Sequence, residues 1–260
     1  MAIRLKTPQQ IESMCRAGAI VRQVLDRLGE MIAPGVTTLE LDQEAEKLCK
    51  AAGAECLFKG VPGMRGAGPF PGSICASVNE QVVHGIPSDR KILDGDIVSV
   101  DFGVKLDGWC GDSAETYAVG EIDASTQDLI DVTREVLALA IEMCEPGQKW
   151  SCIAKAMQQY VQTRHMSVVE EFVGHGIGKD MHEDPKVPNF PSRELKSRDI
   201  ILREGMVLAI EPMVNLGSPG VKAEPDGWTI RTKDGKPSAH FEHTVAIVAG
   251  GVKVLTSGCD

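Results

Sequence analysis

The chain repeats itself, and the repeat limits the folds open to it. Pro34-Gly35, between two helix-like segments, returns as Pro146-Gly147, and His84-Gly85-Ile86 returns as His175-Gly176-Ile177. The run Ile92-Leu93-Asp94-Gly95-Asp96-Ile97-Val98-Ser99-Val100-Asp101 reappears as Ile201-Leu202-Arg203-Glu204-Gly205-Met206-Val207-Leu208-Ala209-Ile210-Glu211 with one residue inserted. In both copies a carboxylate stands six residues after a glycine, at the end of an apolar β-type run. A second carboxylate precedes a glycine by eight residues in each half, Asp112 before Gly120 and Glu242 before Gly250. Matches that recur in one order describe a duplicated unit. The expectation is one domain over 1–260, with halves at about 1–122 and 123–260.

Local signals fill in each half. Thr7, Pro8 and Gln10 form a capping box with proline at the first helical position, and Ile11, Met14, Val21, Leu25, Leu28 and Ile32 then line one face. Pro34-Gly35 ends that helix; Thr37 and Glu40 cap a second, which closes at Gly53. The glycine- and proline-rich stretch from Gly60 to Gly72 reads as loop. After the strand run Ile97 to Phe102, Asp107-Gly108 marks a two-residue hairpin. Helices are then expected over about 125–144 and 151–163, with strands after them. Helices followed by runs of strands, twice over, make an α+β chain.

The repeated carboxylates carry the chemistry. A hairpin centred on Asp107-Gly108 sets Asp112 opposite Gly103, so Asp101 lies on the same face and diagonal to Asp112. Asp101 ends Ile-Val-Ser-Val and Glu211 ends Met-Val-Leu-Ala-Ile, where an unpaired acid is costly, and neither has a lysine or arginine beside it. Superposed halves would bring Asp101, Asp112, Glu211 and Glu242 together, and two divalent cations would cancel their repulsion. His84 and His175 stand at matched positions of the repeat, with His182 seven residues beyond His175. Carboxylates with imidazole suit Mn²⁺, Fe²⁺, Co²⁺ or Zn²⁺.

Composition removes several other classes. A net charge of −10 and eleven aromatic residues argue against a nucleic-acid surface. No apolar run reaches the ~18 residues that span a bilayer. The start lacks the apolar core of a signal peptide, and the eight cysteines form no CxxC pair, so reduced thiols in the cytoplasm are expected.

The motifs Ser77-Val78-Asn79-Glu80, His84-Gly85-Ile86-Pro87, Gly174-His175-Gly176-Ile177-Gly178, His182-Glu183, Glu211-Pro212-Met213 and Glu242-His243-Thr244, with Asp101 and Asp112, resemble the methionine aminopeptidases of metallopeptidase family M24. The resemblance runs over essentially the whole chain. It points to the type I branch, because no long insertion separates His182, Glu211 and Glu242 and no zinc-finger extension precedes the first helix. It implies the "pita-bread" fold, two pseudo-symmetric α/β halves around a dinuclear metal site. It implies Asp101, Asp112, His175, Glu211 and Glu242 as ligands, with Asp112 and Glu242 bridging and a hydroxide between the ions as nucleophile. Glu211 would also be the general base, His182 the donor to the carbonyl oxygen, and His84 the partner of the scissile amide. Phe70, Cys75, Met181 and Trp228 match the family's methionine-pocket positions. The chain departs from bacterial relatives at Phe70, Met181 and Trp109-Cys110, and in a longer Gly60–Gly72 loop. The implied substrates are N-terminal peptides of nascent chains, met at the ribosome by a monomer. A prolidase or aminopeptidase P of the same fold, and a non-catalytic binding protein, are the rival readings.

Overall fold

Thr7 opens the first helix through a reciprocal capping box. In the computed structural model, which describes residues 3–63 and 66–258, its hydroxyl accepts the Gln10 amide and the Gln10 side chain accepts the Thr7 amide. Helix α1 (Pro8–Met31) buries Ile11, Met14, Val21, Leu25 and Leu28, whereas Ile32 lies beyond it as the half-buried C-cap. Thr37 and Glu40 repeat the box at α2 (Thr38–Ala51). Asp123 caps α3 (Ala124–Glu142); α4 (Trp150–Thr163) and the short α5 (Arg193–Ser197) follow.

The strands are β1 (Glu55–Cys56), β2 (Cys75–Val78), β3 (Gln81–Val83), β4 (Ile97–Leu106), β5 (Trp109–Ala118), β6 (Ser167–Val168), β7 (Gly174–Gly176), β8 (Glu183–Val187), β9 (Val207–Ile210), β10 (Met213–Asn215), β11 (Val221–Ala223), β12 (Ile230–Thr232), β13 (Ser238–His240), β14 (Glu242–Val248) and β15 (Gly251–Val254). The main sheet runs β1-β4-β5-β14-β9-β7-β8, with β2 also on β4 and β15 also on β14. Two smaller sheets run β13-β10-β6 and β11-β12-β3. Even-numbered Val98, Val100 and Phe102 of β4 join Val21, Leu25 and Leu41 in one core. Leu208, Ile210 and Val245 join Leu129, Val136 and Ile153 in another. The helices thus cover one face of the sheet, and the alternate residues of β4, β5, β9 and β14 point to the other.

Matched hydrogen bonds relate the halves. Gly35 N–H donates to Ile92 C=O as Gly147 N–H does to Leu202 C=O, and Gly95 N–H donates to Val119 C=O as Gly205 N–H does to Ile247 C=O. At the β5–β14 seam the Thr116 hydroxyl bonds both the N–H and the C=O of His240, and the Thr244 hydroxyl bonds both those of Asp112. The local two-fold therefore passes between Ala114 and Glu242, which face each other.

This register corrects two alignments expected from the sequence. The counterpart of Asp112 is His240, two residues before Glu242: Val119 matches Ile247, so Gly120 matches Val248 and Gly250 lies two residues further on, in the turn after β14. The counterpart of His175 is Ser77: His175 faces Ala209, and the position corresponding to Ala209 is Ser99, which faces Ser77. His84 follows β3 instead, outside that correspondence.

Seven cysteines are free thiols, five of them buried, with Cys56 half-buried and Cys152 exposed; Cys259 lies outside the described residues. Among the described residues no helix is long and apolar enough to cross a membrane.

Candidate metal centre and substrate pocket

One row across the sheet assembles the donors. Asp101 faces Ala114 and Ala114 faces Glu242, while Asp112 faces Gly103, as the hairpin predicts. His243 pairs with Ile210, so Glu211 continues beside Glu242, and His175 faces Ala209, two residues from Glu211. Alternation then turns all five side chains to one face. One ligand atom from each of the buried Asp112, His175 and Glu242 lies within 4.8 Å of the other two. His175 Nε2 is 3.5 Å from Glu211 Oε1.

The electrostatics ask for a cation. Burial pushes Asp101, Glu211 and Glu242 well above the usual carboxylate range, with repulsion among the acids adding to it, and burial lifts Asp112 to about 7. Asp101 Oδ1, Asp112 Oδ1 and Glu242 Oε1 are buried without hydrogen-bond partners. Among the described residues no lysine or arginine pairs with any of the four. His175 Nδ1 lies 2.9 Å from the Gly176 carbonyl, so Nδ1 carries the hydrogen and Nε2 turns a lone pair toward Glu211. Burial, together with His182, lowers His175 to about 4, which leaves it neutral and able to ligate near pH 7. Hard carboxylates with one imidazole are the donor set of a divalent first-row metal, and these residues fit one.

Three more imidazoles surround the acids. His182 is exposed, its ring centroid 4.4 Å from that of His175. His84 stands edge-on to Phe172 at 5.4 Å and to Trp228 at 6.4 Å, and burial lowers it to about 4. Its φ of 59° is uncommon for a non-glycine residue and is held by the bonds of Gly85 to Ala76 and to the Ser77 hydroxyl. His240 is the group that sequence reading missed. It is buried, has an unpartnered Nε2 and lies 3.9 Å from Glu211 Oε2. Its signal was the repeat itself, once aligned by strand register.

Phe70, Cys75, Met181 and Trp228 fall into one apolar cluster. Phe58, Leu57, Val61 and Ile86 complete it and were not anticipated. Phe70 and Trp228 meet edge-on at 5.1 Å, and Trp228 Nε1 donates to the Gly68 carbonyl at 2.9 Å. The Gly60–Gly72 loop doubles back through Gly60 N–H to Phe70 C=O and Phe70 N–H to Val61 C=O, which seats Phe70 in the wall.

Residues 12–249 match the pattern of metallopeptidase family M24. The chain is 49% identical over 251 residues to methionine aminopeptidase 1 of Bacillus subtilis, covering 96% of this chain and 98% of the relative. It is similar to the crystal structure of methionine aminopeptidase from Thermotoga maritima, with a TM-score of 0.91 at 41% identity, covering 98% and 99% of the two chains. A prolidase from Pyrococcus horikoshii has a TM-score of 0.75 at 22% identity, covering 98% of this chain and 64% of that one; this likeness bears on the fold alone.

Proposed function

The chain belongs to metallopeptidase family M24, and from that membership and its five converging donors we propose that it removes N-terminal methionine from peptides whose second residue is small. The observation that carries this reading is a set of buried, unpartnered carboxylate oxygens beside an apolar cluster. Asp101, Asp112, His175, Glu211 and Glu242 would hold two divalent ions, Mn²⁺, Fe²⁺, Co²⁺ or Zn²⁺. When bound, such ions would lower the pKa of a water toward neutrality and polarise a carbonyl.

The chain's own groups do the rest. Glu211 takes the proton of the attacking water and passes it to the leaving amine; the Asn189 side-chain amide holds its backbone carbonyl at 3.0 Å. His182, exposed at the mouth, donates to the carbonyl oxygen as negative charge develops there. His84, held between Phe172 and Trp228, hydrogen-bonds the scissile amide. Phe58, Phe70, Cys75, Met181 and Trp228 enclose the methionine side chain. The physiological substrates are the N-termini of nascent chains, met at the ribosome in the cytoplasm by a monomeric enzyme.

Release of free methionine from Met-Ala-Ser and Met-Leu-Ser, with and without chelator, tests the reading. Metal-dependent release from the first peptide is expected; no release with Mn²⁺, Co²⁺ or Fe²⁺ added would sink it, and cleavage before proline instead would favour a prolidase. Glu211→Ala should lower turnover by about 10²–10⁴-fold in a folded protein, and retained turnover would remove Glu211 from its role.

A further inference from the structure

A second buried charge cluster lies on the far side of His182. The segment before α1 crosses the start of β9, where Lys6 N–H donates to the Gly205 carbonyl at 2.7 Å. There Lys6 Nζ meets Glu183 Oε2 at 2.7 Å, the two side chains being only 4% and 5% exposed. The ammonium also donates to the Arg4 carbonyl at 3.1 Å. The other Glu183 oxygen accepts the Lys179 amide at 3.1 Å and so closes the turn that carries Met181 and His182. Glu183 pairs in register with Gly176, next to His175. Arg4, 63% exposed, reaches Glu183 at 3.6 Å but leaves the buried oxygen to Lys6.

We propose that Lys6 and Glu183 are positioning residues, whose buried ion pair fixes the 178–183 turn so that His182 and Met181 face the substrate. An ion pair this dry adds little net stability over an apolar pair of the same size, so its return lies in geometry. The packing allows little slack. A side chain on Gly178 would put its Cβ 2.6 Å from Glu183 Oε1 and 2.7 Å from Lys6 Cε. From below, the Gly178 carbonyl accepts the Cys110 amide at 2.8 Å. Without Lys6, Glu183 is a buried, under-partnered carboxylate, and it relaxes toward water and takes the neighbouring His182 with it.

The proposal rests on the role of His182 given above, and the test separates the two. Lys6→Met, which keeps the stem, is assayed on metal-loaded enzyme with Met-Ala-Ser. Misplacement of a donor predicts a fall in kcat of about 10-fold with KM little changed, and recovery of most of the loss in Lys6→Arg. Glu183→Gln, similar in shape but uncharged, carries the same expectation if Lys6→Met folds poorly. Hydrogen exchange on the metal-free protein should show the Lys179 amide less protected in Lys6→Met, with protection of α1 unchanged. In a His182→Ala background Lys6→Met should cost little more. Normal kcat in Lys6→Met beside an impaired His182→Ala enzyme would overturn the positioning role alone, as would a Lys6→Met loss that persists in full on His182→Ala. An unimpaired His182→Ala enzyme would overturn the role of His182 and this proposal with it.

Discussion

A single methyl group at Gly103 should separate metal binding from folding. Gly103 faces Asp112 across the β4–β5 pair. A Cβ there would lie 3.0 Å from Asp112 Oδ1, 3.3 Å from its Cγ and 3.1 Å from Phe58 Cε1. Comfortable contacts between such atoms are about 3.5 Å or more, so the carboxylate or the ring must yield by a few tenths of an ångström. Phe58 is buried and backed by the rest of the pocket, which leaves the carboxylate as the part that moves. Overpacking of this kind costs about 1–3 kcal/mol, of which about 0.5–1 kcal/mol is regained by replacing a strand glycine with alanine. Displacing the Asp112 carboxylate should weaken metal binding by about 10–100-fold, the loss typical when groups supporting a metal site are altered. Titration calorimetry of Co²⁺ into metal-free Gly103→Ala, beside its thermal midpoint, makes the measurement. Gly108→Ala at the hairpin tip is the control: its φ of +79° strains alanine, but no atom lies within 4 Å. It should lose stability and keep its metal affinity. Wild-type affinity in a folded Gly103→Ala protein would refute the placement of Asp112 as a ligand.

Trp228→Ala removes the edge contact to Phe70 and the bond to Gly68, and should raise KM for methionyl peptides by about 10-fold, since even a half-buried side chain of this size contributes on the order of 1–2 kcal/mol; an unchanged KM would take Trp228 out of the pocket. In chelator, pH acts on stability through two opposed sets. Imidazoles of His84, His175 and His243 near 4 and His240 near 3 gain folded stability as pH rises toward about 6.5, the usual histidine value, while the acids lose it over the same range. Above about 6.5 the histidine contribution is complete, while the folded chain still keeps protons on the acids that the unfolded chain has released. The metal-free thermal midpoint should therefore fall as pH rises beyond that point, and saturating metal should flatten the curve; a midpoint that rises there would contradict a buried acid cluster.

Short-range chemistry was the most legible part of the chain. Capping boxes at Thr7 and Thr37 and the Asp107-Gly108 turn each depend on two to four neighbouring residues, and each formed as read. The hairpin register alone set Asp101 beside Asp112, so half of the acid cluster followed from counting. What the sequence concealed depends on strand lengths between distant segments. The extra Ala249-Gly250 in the β14–β15 turn disguised His240 as an unrelated residue and made Glu242 look like the partner of Asp112. The His-Gly-Ile match misled for the same reason, since three residues carry no register. Phe58 and Lys6 were invisible because each acts through a contact that no local pattern encodes.

The two-fold between β5 and β14 has a consequence for what kind of molecule can own this site. Ala114 and Glu242 face each other on the axis, where opposed Cβ atoms stand about 4.5–5.5 Å apart. Two identical subunits meeting along such a seam would place the same residue there twice, either two alanines with no central acid or two glutamates crowding one spot. A single chain carrying both halves is free of that constraint. One half carries the long carboxylate at the centre while the matching position of the other carries a methyl group, and Asp112 and His240 differ in the same way. The asymmetric centre is thus something a symmetric homodimer could not build, and the single chain is the price of having it.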